Sequence, residues 1–117
     1  MSINKVTIVG HLGANPETHV FKDGGSITNV SIYTNESYPD AEGNKVEQNE
    51  IHRVVFRGNI SNIAQKYLKK GSQVYVEGKL HHRSFVNKDN VKQYVTEIVV
   101  AGYQGVLQML DKKQDTI

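Results

Sequence analysis

The chemistry open to this chain lies in its cations. Lys66, Lys69 and Lys70 cluster, Lys79 and Arg83 share one predicted strand, and Lys88 and Lys92 flank a predicted turn. Arg53 and Arg57 alternate with Ile51 and Val55 along another strand, so period 2 places all four on one face. That row reads in two ways. It is a solvated strand surface, or it is a face where Arg53 meets phosphate and Arg57 meets phosphate or lies flat on a base. Lys5, Lys69, Lys70, Lys79, Arg83 and Lys92 are further phosphate candidates. Each alone is an ordinary surface cation, so they carry weight only as a set. Two aromatic residues add flat surface. Tyr38 sits where a predicted strand opens into a loop, and either stacks there or packs beneath the loop. Phe85 ends a predicted strand on the parity of Lys79 and Arg83, opposite to Val74, Val76 and Leu80, which predicts exposure. Acids gather elsewhere, between Asp40 and Glu50.

Other chemistries lack their residues. With no cysteine there is no disulfide scaffold, thiol nucleophile or Cys-based metal site. His81 and His82 are adjacent on a strand and point to opposite faces, and no His-x₃-His spacing occurs, so no metal site is expected. There is no Gly-x-Ser-x-Gly elbow, P-loop or Gly-x-Gly-x-x-Gly fingerprint. The acids fall in a predicted flexible loop, a poor place to hold a general acid and base in register, so no catalytic activity is expected. A net charge of +2 and a pI near 8.8 are only mildly basic. No apolar stretch approaches the roughly 20 residues needed to span a bilayer, and Met1-Ser2-Ile3-Asn4-Lys5 lacks the apolar region of a signal peptide. A cytoplasmic protein without a membrane partner is the default expectation.

These side chains need a frame. At 117 residues, with 38% hydrophobic, one domain with a small core is expected. Ile3 to Leu12 reads as a strand buried on much of both faces, and Gly13-Ala14-Asn15-Pro16 breaks it. A short strand through Thr18 to Lys22 meets the turn Asp23-Gly24-Gly25. Ser26 to Ser37 reads as a half-exposed strand, Tyr38 to Glu47 as a polar loop, and Gln48 to Gly58 as a strand with Phe56 in the core. Ile60, Ile63, Ala64, Tyr67 and Leu68 form the one helical stripe, with Asn59 (or Ser61) as N-cap, Lys69-Lys70 in the last turn and Gly71 as a left-handed C-cap. Ser72 to Phe85 and Val91 to Ala101 follow as strands, joined as a hairpin through Asn87-Lys88-Asp89-Asn90. Three main strands, a helix and two strands suit an all-β OB-fold, a five-stranded Greek-key barrel with one short helix between strands 3 and 4. An SH3-like barrel does not need that helix.

The local strings resemble the bacterial single-stranded DNA-binding protein family. The stretches are Asn4-Lys5-Val6, Val9-Gly10-His11-Leu12-Gly13, Asn15-Pro16-Glu17, Asn35-Glu36-Ser37-Tyr38 and Glu50-Ile51-His52-Arg53-Val54-Val55. The most specific is Tyr67-Leu68-Lys69-Lys70-Gly71-Ser72-Gln73-Val74-Tyr75-Val76-Glu77-Gly78, and Tyr94-Val95-Thr96-Glu97 and Met109-Leu110 close the match. The resemblance implies an OB-fold domain over 1–110 with a short frayed tail, 111–117. It implies binding of single-stranded DNA in replication, recombination and repair, a homotetramer, no cofactor and no catalysis. It places the stacking platforms at Tyr38, Ile51, Arg57 and Phe85, of which two are aromatic here, and an inter-subunit histidine at His52. That histidine, on the Val54/Phe56 parity, also reads as a hydrogen-bonded core residue. The family's usual flexible linker and acidic tip ending in Pro-Phe, which dock partner proteins, do not follow the barrel in this sequence, so a tail-less relative or a shortened chain is expected. OB-folds also bind proteins and sugars. The second expectation is therefore a protein-interaction or assembly subunit of the replication-restart type, with weak DNA affinity. Oligosaccharide binding has no support in the residues.

Overall fold

Alternation of apolar and polar residues builds most of the chain, and the computed structural model describes residues 1–111. Strand β1 (Val6–Leu12) turns Ile8, Gly10 and Leu12 inward and Thr7, Val9 and His11 outward. It is buried on one face only, not on both as expected. β2 (Glu17–Val20) is a short arm against β3 (Ser26–Pro39), which continues into β4 (Lys45–Arg57). Helix α1 (Asn59–Tyr67) leads to β5 (Gln73–Val86) and β6 (Lys92–Val100). A 3₁₀ turn (Gly102–Gln104) then leads to β7 (Val106–Met109), which the sequence reading did not contain.

Five strands close a barrel in the order β1-β3-β4-β6-β5, with β5 returning to β1. Among the described strands only β4 and β6 pair in parallel. The OB-fold expectation is met. The helix follows the third barrel strand, but because β2 is a strand of its own it lies between β4 and β5 in chain order. Closure needs sharp corners. Gly10 sits where β1 passes from β5 to β3, and an added Cβ there would stand 2.2 Å from the Tyr33 carbonyl oxygen. Gly78 sits where β5 leaves β1 for β6, and its Cβ would stand 2.6 Å from the Val99 oxygen. Glycine at both corners lets the backbones approach.

Each barrel strand gives the core inward residues, among them Ile8, Ile32, Phe56, Val76 and Val100. Ala64 and Leu68 of the α1 segment join them at one end of the barrel. The helix buries only part of the apolar stripe read from its spacing: Ala64 and Leu68 lie in the core and Ile60 packs against it. Ile63 and Tyr67 are exposed, and Ser61 is fully buried instead. The cause is polar: Ser61 and Thr28 hydroxyls hydrogen-bond at 2.8 Å, and Ser26 bonds Ser61 at 3.0 Å. A buried hydroxyl is tolerated when it is bonded, so this pairing sets the helix's rotation. Gly58, at φ 71°, is the N-cap, and no side chain caps the helix, so neither Asn59 nor Ser61 has that role. The helix ends at Tyr67 with Leu68 as C-cap, leaving only Lys66 in the last turn. Lys69 and Lys70 lie beyond it. Gly71 is left-handed (φ 91°), but it shapes the later turn that sends its N–H to the Leu12 carbonyl at 2.8 Å.

The largest departure is at Tyr38 to Glu47. This is not a loop. β3 and β4 pair without a break from Ile27–Arg57 to Pro39–Lys45, leaving only residues 40–44 as a turn. β5 likewise runs on with β6 to Val86–Lys92. Fourteen-residue strands of about 3.3 Å per residue outreach the barrel, so two hairpin arms project from it. From residue 112 onward, the expected frayed tail lies outside the described residues. Among the described residues no helix is long and apolar enough to cross a membrane.

Candidate nucleic-acid interface

Register decides which outward residues become neighbours. On β3, odd-numbered residues point away from the core formed by Val30 and Ile32, and the pairing sets Tyr33 across from Ile51 and Ser31 across from Arg53. β6 adds Glu97 and Val99 to this outer face, and β5 adds Lys79, His81, Arg83 and Phe85. Ile51, Arg53, Arg57, Arg83 and Phe85 therefore share one outward sheet face. Val55, between two of the arginines, is an exception to exposure at 3%, with Asn29 and Val99 as its register partners.

A cleft of about 340 Å³ opens on this face, lined by Asn15, Asn29, Ser31, Arg53, Arg83 and the acidic Glu17 among others. Arg83 is committed in part: its Nε donates to Glu97 Oε1 at 3.1 Å, and Glu97 is only 4% exposed. A buried carboxylate needs a paired cation, so Arg83 serves the fold as well as the surface. Its guanidinium carbon also stands 5.7 Å from the centre of the Phe85 ring. Phe85 is 44% exposed, and Leu80 and Val86 of the opposite parity are exposed too, because β5 is open on both faces from Lys79 onward.

Other candidates are elsewhere. Tyr38 is half exposed, but it lies within the β3–β4 arm, paired with Val46. Its even parity puts it on the sheet face opposite to Ile51, close to the turn at residues 40–44. Lys5 pairs with Glu77 at 3.4 Å. Lys5 and Lys79 line a different cleft, of about 620 Å³, beside the N-terminal residues and β7. There the Tyr75 hydroxyl donates to Glu77 Oε1. That bond is the main cause that holds Glu77 below the usual carboxylate range, Lys5 adding to it, and it raises the Tyr75 hydroxyl. Lys69 and Lys70 follow the helix, with the Lys70 N–H on Asn15 Oδ1 at 2.9 Å, which brings Lys70 to the rim of the arginine cleft. Lys92 stands over the Tyr94 ring, 5.4 Å from its centre, on the face of the β5–β6 arm opposite to Phe85. His52 is half-buried, and its Nε2 bonds Thr34 Oγ1 at 2.9 Å. Among the described residues no three His, Cys, Asp or Glu side chains gather as a metal site.

Several exposed aromatics are not among the candidates read from the sequence, Tyr33 and Tyr94 among them. Tyr33 lies on the arginine face, and Tyr94 on the second arm is largely exposed. The parity of Tyr33, opposite to Val30 and Ile32, was the available signal. A face of arginines, amides and open rings suits a polymer of phosphates and flat bases.

Comparison with known proteins agrees. Single-stranded DNA-binding protein 1 of Xylella fastidiosa (strain 9a5c) is 44% identical over 115 residues, covering 97% of this chain and 82% of that protein. A Plasmodium falciparum SSB solved in complex with single-stranded DNA superposes with a TM-score of 0.89 at 32% identity, over 95% of this chain and 97% of that one. A deletion variant of the single-stranded DNA-binding protein from Thermus aquaticus, at 24% identity and TM-score 0.78, covers 95% of this chain and 52% of that one, and attests the fold alone. Residues 3–109 match the single-strand binding protein family, and to that family the chain belongs.

Proposed function

We propose that this protein binds and protects single-stranded DNA in replication, recombination or repair, largely without sequence preference and without catalysis. The observation that carries the reading is the outward face where Arg53, Arg57 and Arg83 lie among Ile51, Phe85 and Tyr33 on a barrel of this family. Arginines neutralise phosphates, and rings accept bases of any identity, at about 1–3 kcal/mol per base. Arg53 contacts phosphate from the cleft. Arg57 contacts phosphate or lies flat on a base. Phe85 and Tyr38 stack, and Ile51 offers an apolar surface. Lys70 extends the cationic rim, followed by Lys69, and Lys79 and Lys92 guide strand leaving along β5 and its arm. Lys5 is the weakest of the set, because Glu77 already holds it.

The domain is assigned to residues 1–110, acting as a cytoplasmic homotetramer with His52 at a subunit contact. The outward Val9 of β1 is an apolar surface that assembly would cover. The interaction-module reading is not favoured, since no observation here speaks for it over DNA. A titration of oligo-dT, followed by intrinsic tyrosine fluorescence at two salt concentrations, tests the function. Saturable binding well above that to duplex, falling steeply with salt, is expected. Equal affinity for duplex and single strand at moderate salt overturns it. Light scattering tests the assembly, and a monomer at micromolar concentration would refute that part alone.

A further inference from the structure

Tyr33 stands directly across from Ile51 in the β3–β4 register, beside the platform position that carries no ring in this chain. It is 41% exposed and turns to the arginine face. Its seat is Gly13. A Cβ built on Gly13 would stand 1.7 Å from Tyr33 Cε2 and 2.5 Å from Cδ2, so the ring lies against bare backbone. Gly13 is not among the glycines with positive φ. What glycine supplies here is space, not conformation. The Gly13 N–H donates to the Ser31 carbonyl at 3.0 Å, which ties this loop to the strand bearing Tyr33. The ring is thus held on one side by backbone and partly open on the rest.

Arg53 is the diagonal neighbour of Tyr33 on the same face, since it pairs with Ser31 two residues away. Such neighbours lie about 7–8 Å apart, close to the reach from a base to its own backbone phosphate. Arg53 lines the cleft with Asn15, Asn29 and Ser31, whose amides and hydroxyl can hydrogen-bond sugar or base edges.

We propose that Tyr33, seated on Gly13, is a base-stacking subsite that takes one nucleobase of a single strand while Arg53 holds the adjoining phosphate. This rests on the single-strand reading above and adds to it a platform on β3, in place of a ring at position 51. Held against backbone, the ring gives up little rotamer freedom on binding, which favours stacking.

The test compares wild type, Tyr33→Ala and Tyr33→Phe on a short oligo-dT and on a strand of the same length made of abasic sites. Tyr33→Ala is expected to bind oligo-dT about five- to a hundredfold more weakly. Tyr33→Phe keeps the ring and stays within about twofold of wild type. On the abasic strand wild type and Tyr33→Ala bind alike, because no base remains to stack. Oligo-dT binding by Tyr33→Ala equal to wild type overturns the subsite and leaves the function standing. An equal loss on both strands also overturns it, since the ring is then only structural. Failure of the wild type itself to prefer oligo-dT over duplex removes the function, and the subsite with it.

Discussion

The two hairpin arms are built alike and charged oppositely. In the first, Asp40 Oδ1 accepts from the N–H groups of Glu42 and Asn44; in the second, Asn87 Oδ1 accepts from those of Asp89 and Val91. The backbone bonds match as well, Asp40 N–H to Asn44 O and Asn87 N–H to Val91 O. The fourth turn residue is left-handed in each, Gly43 at φ 82° and Asn90 at 65°. Yet residues 35–49 carry Glu36, Asp40, Glu42 and Glu47 against Lys45, whereas residues 81–96 carry Arg83, Lys88 and Lys92 against Asp89. An Asp and an Asn make the same turn because each offers one carbonyl-type oxygen at the same reach. Backbone geometry is therefore indifferent to the charge that the arms use to choose their surroundings. On the reading proposed here, the second arm follows DNA and the first meets it less closely.

The largest expected effect contrasts the rings of the two arms. Phe85→Ala, beside Arg83, should weaken oligo-dT binding by about 2–3 kcal/mol, and Tyr38→Ala, among carboxylates, by about 1 kcal/mol. Equal losses, measured by fluorescence titration, would break the contrast. Next is Arg57→Phe. If Arg57 stacks, affinity at high salt is kept and the salt slope becomes shallower by at most about one unit. If it only holds phosphate, binding weakens at low salt with little recovery at high salt. An unchanged slope and affinity would take this strand face off the DNA path. Smaller still, Lys92→Gln should reduce the salt slope by about one unit, whereas Glu47→Gln on the first arm should leave the slope unaltered. A matching change in both would mean that DNA runs along both arms.

The smallest effect concerns stability. Glu77 is a barrel carboxylate whose pKa is lowered, first by the Tyr75 hydrogen bond and then by Lys5. Its contribution is present above the ordinary carboxylate range and is lost as pH falls through the lowered folded-state pKa. Melting scans should show a small acid-side drop that Glu77→Gln removes. Glu42→Gln at the tip of the first arm should leave that drop in place.

Much of the frame was legible in the residues. Val74, Val76 and Leu80 against Lys79, Arg83 and Phe85 already gave the faces of β5, and the turn at Asn87–Asn90 formed as its side chains suggest. Polar composition from Tyr38 to Glu47 reads as a loop, yet these residues form a paired arm, because a two-stranded ribbon exposed on both faces has no apolar alternation to reveal it. The helix stripe is right at Ile60, Ala64 and Leu68 and wrong at two positions. Ile63 and Tyr67 satisfy the period, but Thr28, distant in sequence, offers the hydroxyl that draws Ser61 inward.

Side-chain parity is a local property of an extended backbone, so the sequence alone could assign Arg53, Arg57 and Phe85 to outward faces. Which outward residues meet is not local. It depends on register and closure, and those are decided by the whole core packing at once. That is why only the tertiary structure seats Tyr33 on Gly13 beside Ile51 and ties Arg83 to Glu97. The same closure puts Lys5 at a second cleft, which Lys79 on the outer face of β5 also borders.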